Sequence, residues 1–168
     1  MTEWRVHGVQ PLYESDVVRV ELAEVELPDG TRLDHHVIRI PFVVAAVVVH
    51  DPERGILLLR RKRFIVDRVL WDVPAGKVAL GETPEEAAVR ASAGETGWRP
   101  FGVRLLGTYH PSPGISDQRF AVCVADAAEQ VGEPDPNECD CVEWVPVARV
   151  FDLDLDGLSL TALLWALR

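Results

Sequence analysis

The sequence predicts a mixed α+β domain, or a three-layer α/β/α sandwich, from three observations. Short β-branched segments precede, flank and follow one strongly signalled helix. The chain of 168 residues is long enough for one domain with a well-developed core. The longest apolar run, at 40–49, is about half the length that crosses a membrane and contains a proline, which indicates a buried strand.

The predicted elements can be placed in chain order. Residues 17–27 and 31–40 flank a Pro-Asp-Gly turn and form a predicted hairpin. Residues 42–50 are continuously apolar, as in a strand buried on both faces, and residues 56–64 form the next strand. Three further strands and a final helix complete the prediction: 101–110, 118–126, 139–147 and 158–167.

The central helix has the clearest boundaries. Thr83 is suited to cap it, Pro84 suits its first position, and Glu86 stands where a capping box needs an acidic side chain. Gly97 suits the end of the helix.

Charge and composition exclude several classes of partner. The formal net charge is −10, and a surface with this excess of carboxylates repels the phosphates of nucleic acids. The N-terminus shows no apolar segment of the signal-peptide type, and no segment predicts a membrane span. We therefore expect a cytoplasmic protein that binds neither nucleic acid nor a membrane.

Positions 91, 94 and 95 share one face of the predicted helix. Three carboxylates there would bind Mg²⁺ or Mn²⁺ through hard oxygen ligands, but the sequence supplies Ala91, Gly94 and only one acid, Glu95. Judged by this helix alone, a small-residue helix packed closely on a sheet, with Glu95 a solvated acid near its end, is the alternative interpretation.

The spacing of a longer segment resembles the Nudix box, which runs G, five residues, E, seven residues and then R-E-U-x-E-E-x-G-U with U bulky and apolar. The positions that match are Gly76, Glu82, Arg90, Glu95, Gly97 and Trp98. The positions that depart from the pattern are Ala91, Ser92 and Gly94. Pro113, sixteen residues after Gly97, and the lead-in WDVPAGKV at 71–78 are similar to the ADP-ribose pyrophosphatase branch of that family.

This resemblance covers about residues 15–165 and implies a Nudix-type α/β/α sandwich with an N-terminal β-hairpin extension. It implies an extension at 1–40, packed across a homodimer, and a Nudix domain at 41–168. It also implies hydrolysis of ADP-ribose or a related nucleoside-diphosphate sugar, with Mg²⁺ or Mn²⁺ as cofactor.

Site residues follow from the same resemblance. Glu95 is the surviving metal ligand on the helix, and the backbone carbonyl of Ala75 is a second ligand. Glu82 and Arg90 are expected to hold the geometry of loop and helix, with Arg90 paired either to Glu82 or to Glu86. Metal binding is expected to be weakened because Ala91 and Gly94 offer no side-chain oxygen.

A late acidic loop at 132–140 stands where this branch of the family carries a catalytic glutamate. Glu138 is the predicted residue, both as catalytic group and as metal ligand, with Asp140 and Glu133 in reserve; an ordinary solvated turn is the alternative. Four residues are predicted to bind substrate: Arg61, Arg63, Pro113 and Gly114. For Arg63, a solvated position on the edge of its strand is the alternative.

Two functions remain open on the sequence. The first is a weak or specialised Nudix pyrophosphohydrolase, which the matched box residues and the proline favour. The second is a catalytically inactive Nudix domain that binds a nucleoside diphosphate or acts as a dimeric scaffold, which the loss of carboxylates at positions 91 and 94 favours. Dependence of turnover on metal would separate an enzyme from a binding protein.

Overall fold

The computed structural model describes residues 3–168, which form two compact units. The first unit contains residues 3–42 and 110–119, and the second contains residues 43–109 and 120–168. No helix in the described part of the chain is long and apolar enough to cross a membrane.

The first unit contains a three-stranded antiparallel sheet in the order β1 (Arg5–Glu14), β2 (Arg19–Glu26) and β3 (Arg32–Arg39). Strands β2 and β3 are the predicted hairpin. Strand β1 was not predicted, because Gly8 and Pro11 interrupt it and every residue in it is exposed, so the alternation of buried and exposed residues that signals a strand is missing.

Residues 110–119 join this unit through the last part of β3. The backbone N–H of Ile38 donates to the carbonyl of Ile115 at 2.8 Å, and the N–H of Asp117 donates to the carbonyl of Ile38 at 3.2 Å. The predicted division into residues 1–40 and 41–168 stays a prediction, and the first two residues of its extension lie outside the described residues.

The strands of the second unit are β4 (Val43–Asp51), β5 (Gly55–Arg63), β6 (Arg68–Asp72), β7 (Ala75–Lys77), β8 (Trp98–Phe101), β9 (Arg104–Tyr109), β10 (Arg119–Ala125), β11 (Ala127–Gln130) and β12 (Cys141–Val145). Seven of them form one sheet in the order β12-β5-β4-β10-β9, with β6 paired to β5 and β7 paired to β4. Strands β8 and β11 form a separate two-stranded sheet. The helices are α1 (Pro84–Thr96), a 3-10 helix (Val147–Asp152) and α2 (Gly157–Ala166).

The two faces of the large sheet bury different helices. Along β4, Ala46 and Val48 face the cluster that contains Leu163 of α2, while Val47 faces the cluster that contains Ala87 of α1. A continuous apolar run is therefore needed, because both faces of this strand are covered. The predicted α/β/α layering is confirmed.

Helix α1 begins and ends where the sequence predicts. The side chain of Thr83 accepts from the N–H of Glu86, and the Glu86 side chain accepts from the N–H of Thr83, which closes the capping box. Pro84 opens the helix, and Gly97 ends it with φ = 74° in the left-handed region. These local contacts fix the position of Glu95 near the last turn.

Candidate active site

An ion pair between Glu82 and Arg90 holds the segment between β7 and α1. Nε and Nη2 of Arg90 each donate to a carboxylate oxygen of Glu82 at 2.8 Å, and Nη2 also donates to the carbonyl of Lys77 at 2.7 Å. The N–H of Ala79 donates to Glu82 as well, at 2.9 Å. Because Glu86 is used in the capping box, Arg90 pairs with Glu82, which was one of the two partners left open by the sequence.

This ion pair makes the stability of the protein depend on pH. Hydrogen bonds from Arg90, and then from Ala79, lower the pKa of Glu82 from 4.5 to about 2. Since the unfolded chain takes up this proton first, the contribution of Glu82 is complete above about pH 4.5 and is lost as pH falls towards about 2. The unfolding free energy of the wild type should therefore exceed that of Glu82→Gln at neutral pH, by a difference that shrinks over this acid range.

Urea unfolding of both proteins across that range measures the difference. Glu85→Gln, which makes the same chemical change on the neighbouring turn of α1, is the matched control. A difference that stays constant from neutral pH down to about pH 2 would show that the ion pair does not act in this way.

Arg61 gathers three carboxylates from three separate elements of the second unit. Its Nη2 donates to Oε1 of Glu95 on α1 at 3.1 Å, and its Nη1 donates to Oε2 of Glu138, in the loop before β12, at 3.0 Å. Its Nε lies 3.0 Å from Oδ2 of Asp72 at the end of β6. The guanidinium of Arg61, on β5, is therefore the centre of this cluster, which we call the Arg61 cluster (Arg61, Asp72, Glu95 and Glu138).

The members of the Arg61 cluster differ in their access to solvent. The side chains of Asp72 and Glu95 are 2% and 13% exposed, whereas that of Glu138 is 50% exposed. Burial raises the pKa of Glu95, against the opposing effect of Arg61 and of a backbone N–H. Burial also raises the pKa of Asp72, and the nearby carboxylate of Asp156 adds to this, against Arg63 and Arg61.

The remaining positions of the helix face lie against the sheet or in solvent. Ala91 is 7% exposed and packs on Gly76, where an added Cβ would lie 2.9 Å from the Cβ of Ala91. Gly94 is exposed. The close packing of a small-residue helix is thus observed, but Glu95 is not the solvated acid of the alternative interpretation, because its side chain is only 13% exposed and is paired with Arg61.

The residues of this site do not fit a divalent ion as they are arranged. Both oxygens of Glu95 are engaged, Oε1 by Arg61 and Oε2 by the backbone N–H of Ala75 at 3.0 Å. Ala91 and Gly94 supply no ligand. Among residues 3–168, no three His, Cys, Asp or Glu side chains are grouped so that they could hold a metal ion. The predicted ligation by Glu95, Glu138 and the Ala75 carbonyl stays a prediction.

Arg63 lies beside the Arg61 cluster. Its guanidinium donates to Oδ2 of Asp72 and is 42% exposed, so an anion can reach it from solvent. The prediction placed both Arg61 and Arg63 near substrate, and the structure brings both to Asp72.

Pro113 and Gly114 belong to the first unit, where His35 Nε2 lies 2.8 Å from the carbonyl oxygen of Gly114. Their assignment to substrate binding stays a prediction. The two reserve acids of the late loop, Glu133 and Asp140, are exposed, and neither contacts Arg61 in the ion pairs described above.

Asp72 is the member of the Arg61 cluster that the sequence analysis did not select. It stands at the acidic position of the WDVPAGKV lead-in, and it follows three strand residues of mostly apolar character. An acid at the buried end of a strand is costly unless it has a charged partner, and the arginines of β5 supply one. An acid at the end of an apolar strand, together with several arginines on the preceding strand, was the sequence signal that could have identified Asp72.

The chain matches known proteins over most of its length. A model of the NUDIX domain matches residues 41–164. The chain is 36% identical over 160 residues to a CMP-5′-(N-acetyl-N-hydroxy-3-aminopropyl)phosphonate hydrolase of Streptomyces rubellomurinus, a match that covers 95% of this chain and 77% of that protein. It is 29% identical over 141 residues to an ADP-ribose pyrophosphatase of Bacillus subtilis, covering 84% of this chain and 75% of that protein.

A solved structure is also similar. The crystal structure of an ADP compounds hydrolase matches with a TM-score of 0.82 at 17% identity, and the match covers 98% of this chain and 92% of that chain. At this identity the likeness shows a shared fold.

Proposed function

Because the chain belongs to the Nudix family and is a hydrolase of that family related to the ADP-ribose pyrophosphatases, we propose that it hydrolyses a nucleoside 5′-phosphate joined through a phosphoanhydride to a second phosphorus group. ADP-ribose, or a related nucleoside-diphosphate sugar, is the first candidate substrate. The family and the Nudix-type fold predicted from the box are confirmed.

The relatives favour an enzyme over the inactive binding domain that the sequence left open. The similar proteins are named as hydrolases, one of a CMP-linked phosphonate and one of ADP-ribose. Both names describe a nucleoside monophosphate joined to a second group, so we include a CMP-linked alkylphosphonate among the candidate substrates.

The observation that carries this proposal is the convergence of Glu95 and Glu138 on Arg61, with Arg63 at the edge. In the proposed reaction, water forms a bond to one phosphorus, and the bond from that phosphorus to the bridging oxygen breaks. The bridging oxygen leaves on the other phosphorus group, and the proton lost by water passes to a base. Glu138 is half exposed, and we assign it as the base that accepts this proton. Arg63 offers a solvent-accessible guanidinium to a phosphoryl oxygen.

Nudix hydrolases generally use divalent metal ions. For this chain we propose Mg²⁺ or Mn²⁺ bound weakly, since the box lacks two carboxylates and Glu95 is already engaged. For the same reason, we expect the turnover rate to be about 10- to 100-fold lower than that of a Nudix hydrolase with a complete box.

The test is a panel of ADP-ribose, several nucleotide sugars and a CMP-linked alkylphosphonate, incubated with Mg²⁺, with Mn²⁺ and with a chelator. Release of the nucleoside monophosphate, followed by chromatography and by ³¹P NMR, is the expected result for at least one compound. If no member of the panel is cleaved under any condition while ADP-ribose binds by calorimetry, the enzyme proposal fails and the binding alternative stands.

We also propose that the protein is a cytoplasmic homodimer that does not bind nucleic acid. Strand β1 supports the dimer, because its apolar residues Val6, Val9, Leu12 and Tyr13 are all about half exposed or more. Light scattering at micromolar concentration tests this, and a monomer would contradict it.

A further inference from the structure

Arg61 has an unusual position for a cationic side chain. Its side chain is 11% exposed, and its Nη1 and Nη2 donate to Glu138, in the loop before β12, and to Glu95 of α1. Its Nε has no hydrogen-bond partner among residues 3–168 but lies 3.0 Å from Oδ2 of Asp72, at the end of β6. Most arginines in proteins are exposed, and a buried one needs carboxylate partners to offset its lost hydration. Arg61 therefore ties these three elements together.

The Arg61 cluster still has more acceptor capacity than one guanidinium uses. Three carboxylates, those of Asp72, Glu95 and Glu138, face two guanidinium groups, those of Arg61 and Arg63. Oδ1 of Asp72 is buried and has no hydrogen-bond partner within residues 3–168. A site with surplus buried carboxylate oxygen attracts a cation.

The face of α1 that carries Glu95 explains why an arginine side chain, and not a metal ion, supplies the positive charge here. A hard divalent ion prefers several oxygen ligands, and positions 91 and 94 supply none. A guanidinium carries five donors in a planar fork and is always charged, so it can bridge several carboxylates where ligands for a metal are too few. The geometry of Arg61 matches this use, with contacts of 3.0 to 3.1 Å to all three acids.

We infer that Arg61 is the resident cation of this site: its guanidinium takes the place of a divalent ion between Asp72, Glu95 and Glu138, and Mn²⁺ or Mg²⁺ binds among these acids only by displacing it. The inference rests on the proposed function in placing the Arg61 cluster at the active site, but it concerns cation binding and not turnover. It deepens the proposal by giving the cause of the weak metal binding.

Mn²⁺ binding, measured by the loss of the electron paramagnetic resonance signal of free Mn²⁺, tests this inference. The proteins are the wild type, Arg61→Gln, Arg61→Lys and the control Arg60→Gln. Arg60 is the preceding residue of β5, is exposed, and lies over the ring of Trp71. Arg61→Gln is expected to bind Mn²⁺ at least about tenfold more tightly than the wild type, because it removes the competing charge and frees one oxygen each of Glu95 and Glu138 beside the unpaired Oδ1 of Asp72.

The controls distinguish the loss of the Arg61 guanidinium from a change in the net charge of the protein. Arg60→Gln removes the same charge one residue away and should bind Mn²⁺ as the wild type does. Arg61→Lys keeps a charge on a side chain that cannot form the planar fork, and its affinity should lie between those of the wild type and Arg61→Gln. Binding by Arg61→Gln that is no tighter than in the wild type and Arg60→Gln would overturn the inference.

Removal of Arg61 takes one cation from Asp72, Glu95 and Glu138, although Asp72 keeps Arg63 and Glu95 keeps the N–H of Ala75. A second variant covers the case in which Arg61→Gln folds only in the presence of Mn²⁺. In that case Arg61→Lys decides, and Mn²⁺ binding no tighter than in the wild type overturns the inference. Because the readout is Mn²⁺ binding, it is independent of product release. If the wild type proves inactive, tighter Mn²⁺ binding by Arg61→Gln still supports the role of Arg61. If the wild type is active, unchanged Mn²⁺ binding still contradicts that role.

Discussion

Replacement of Glu95 by glutamine is expected to lower kcat/KM for release of the nucleoside monophosphate by about 100-fold or more, the range found when one preorganised charged or polar group is lost from an active site. Glu95 is the one carboxylate that the box retains on this face of α1, and it links Arg61 to the backbone of Ala75. The measurement is steady-state hydrolysis of whichever member of the substrate panel the wild type cleaves.

The same change should have a smaller effect on stability. Both oxygens of Glu95 accept hydrogen bonds, whereas glutamine must turn its NH₂ group towards either Arg61 or the N–H of Ala75. One part-buried donor then loses its acceptor, at a cost of at most about 1–3 kcal/mol, the range for a fully buried group. Urea unfolding measures this cost, which leaves most of a typical domain stability of about 5–15 kcal/mol.

Glu85→Gln is the control, because it makes the same change earlier on the same helix. It should retain both activity and stability. The contrary outcome is a folded Glu95→Gln whose kcat/KM stays within about twofold of the wild type, where a loss of about 100-fold is expected. Glu95 would then have no part in the reaction, and the active-site assignment would be wrong.

Gly97→Ala is expected to destabilise the protein by about 3 kcal/mol or more, a value at the upper end of single substitutions. At φ = 74° an alanine costs about 1–2 kcal/mol on backbone conformation alone. Its Cβ would also lie 2.3 Å from the carbonyl oxygen of Gly132, which is backbone and cannot rotate away. Urea unfolding of the variant measures the sum of both effects.

The matched control for this prediction is Gly102→Ala. Gly102 has φ = 61°, also in the left-handed region, but an added Cβ there meets nothing within 4 Å. It should therefore show only the conformational cost, about 1–2 kcal/mol. Equal losses of stability for the two variants would mean that the contact with Gly132 does not limit position 97.

The Gly97 variant should also affect the candidate site. The carbonyl of Gly97 accepts from the N–H groups of Val131 and Gly132, and the N–H of Asp135 donates to the carbonyl of Glu95. A shift of this segment moves the loop that carries Glu138. We therefore expect a loss of kcat/KM in Gly97→Ala under conditions where the variant is still folded, and none in Gly102→Ala.

Features set by neighbouring residues could be predicted from the sequence. The boundaries of α1 follow from Thr83, Pro84, Glu86 and Gly97, all within the helix or one residue from it. The buried strand β4 follows from a continuous apolar run, and the family follows from spacings along the chain. Such signals need only local backbone preferences and fixed side-chain periods.

The sequence was less informative where the conformation or the partner of a residue depends on residues far away in the chain. Strand β1 is exposed throughout and interrupted by Gly8 and Pro11, so its pairing with β2 leaves no periodic signal. The choice of Glu82 over Glu86 as the partner of Arg90 depends on the path of the loop between β7 and α1.

The Arg61 cluster is the clearest case of a feature that only the tertiary structure decided. Its members come from positions 61, 72, 95 and 138, which the sheet, the helix and a loop bring together. The sequence determined that Glu95 is the carboxylate left on the helix face and that Ala91 and Gly94 bind nothing. Which cation meets Glu95 depends on distances of about 3 Å between elements far apart in the chain, because charge pairing and burial act through space.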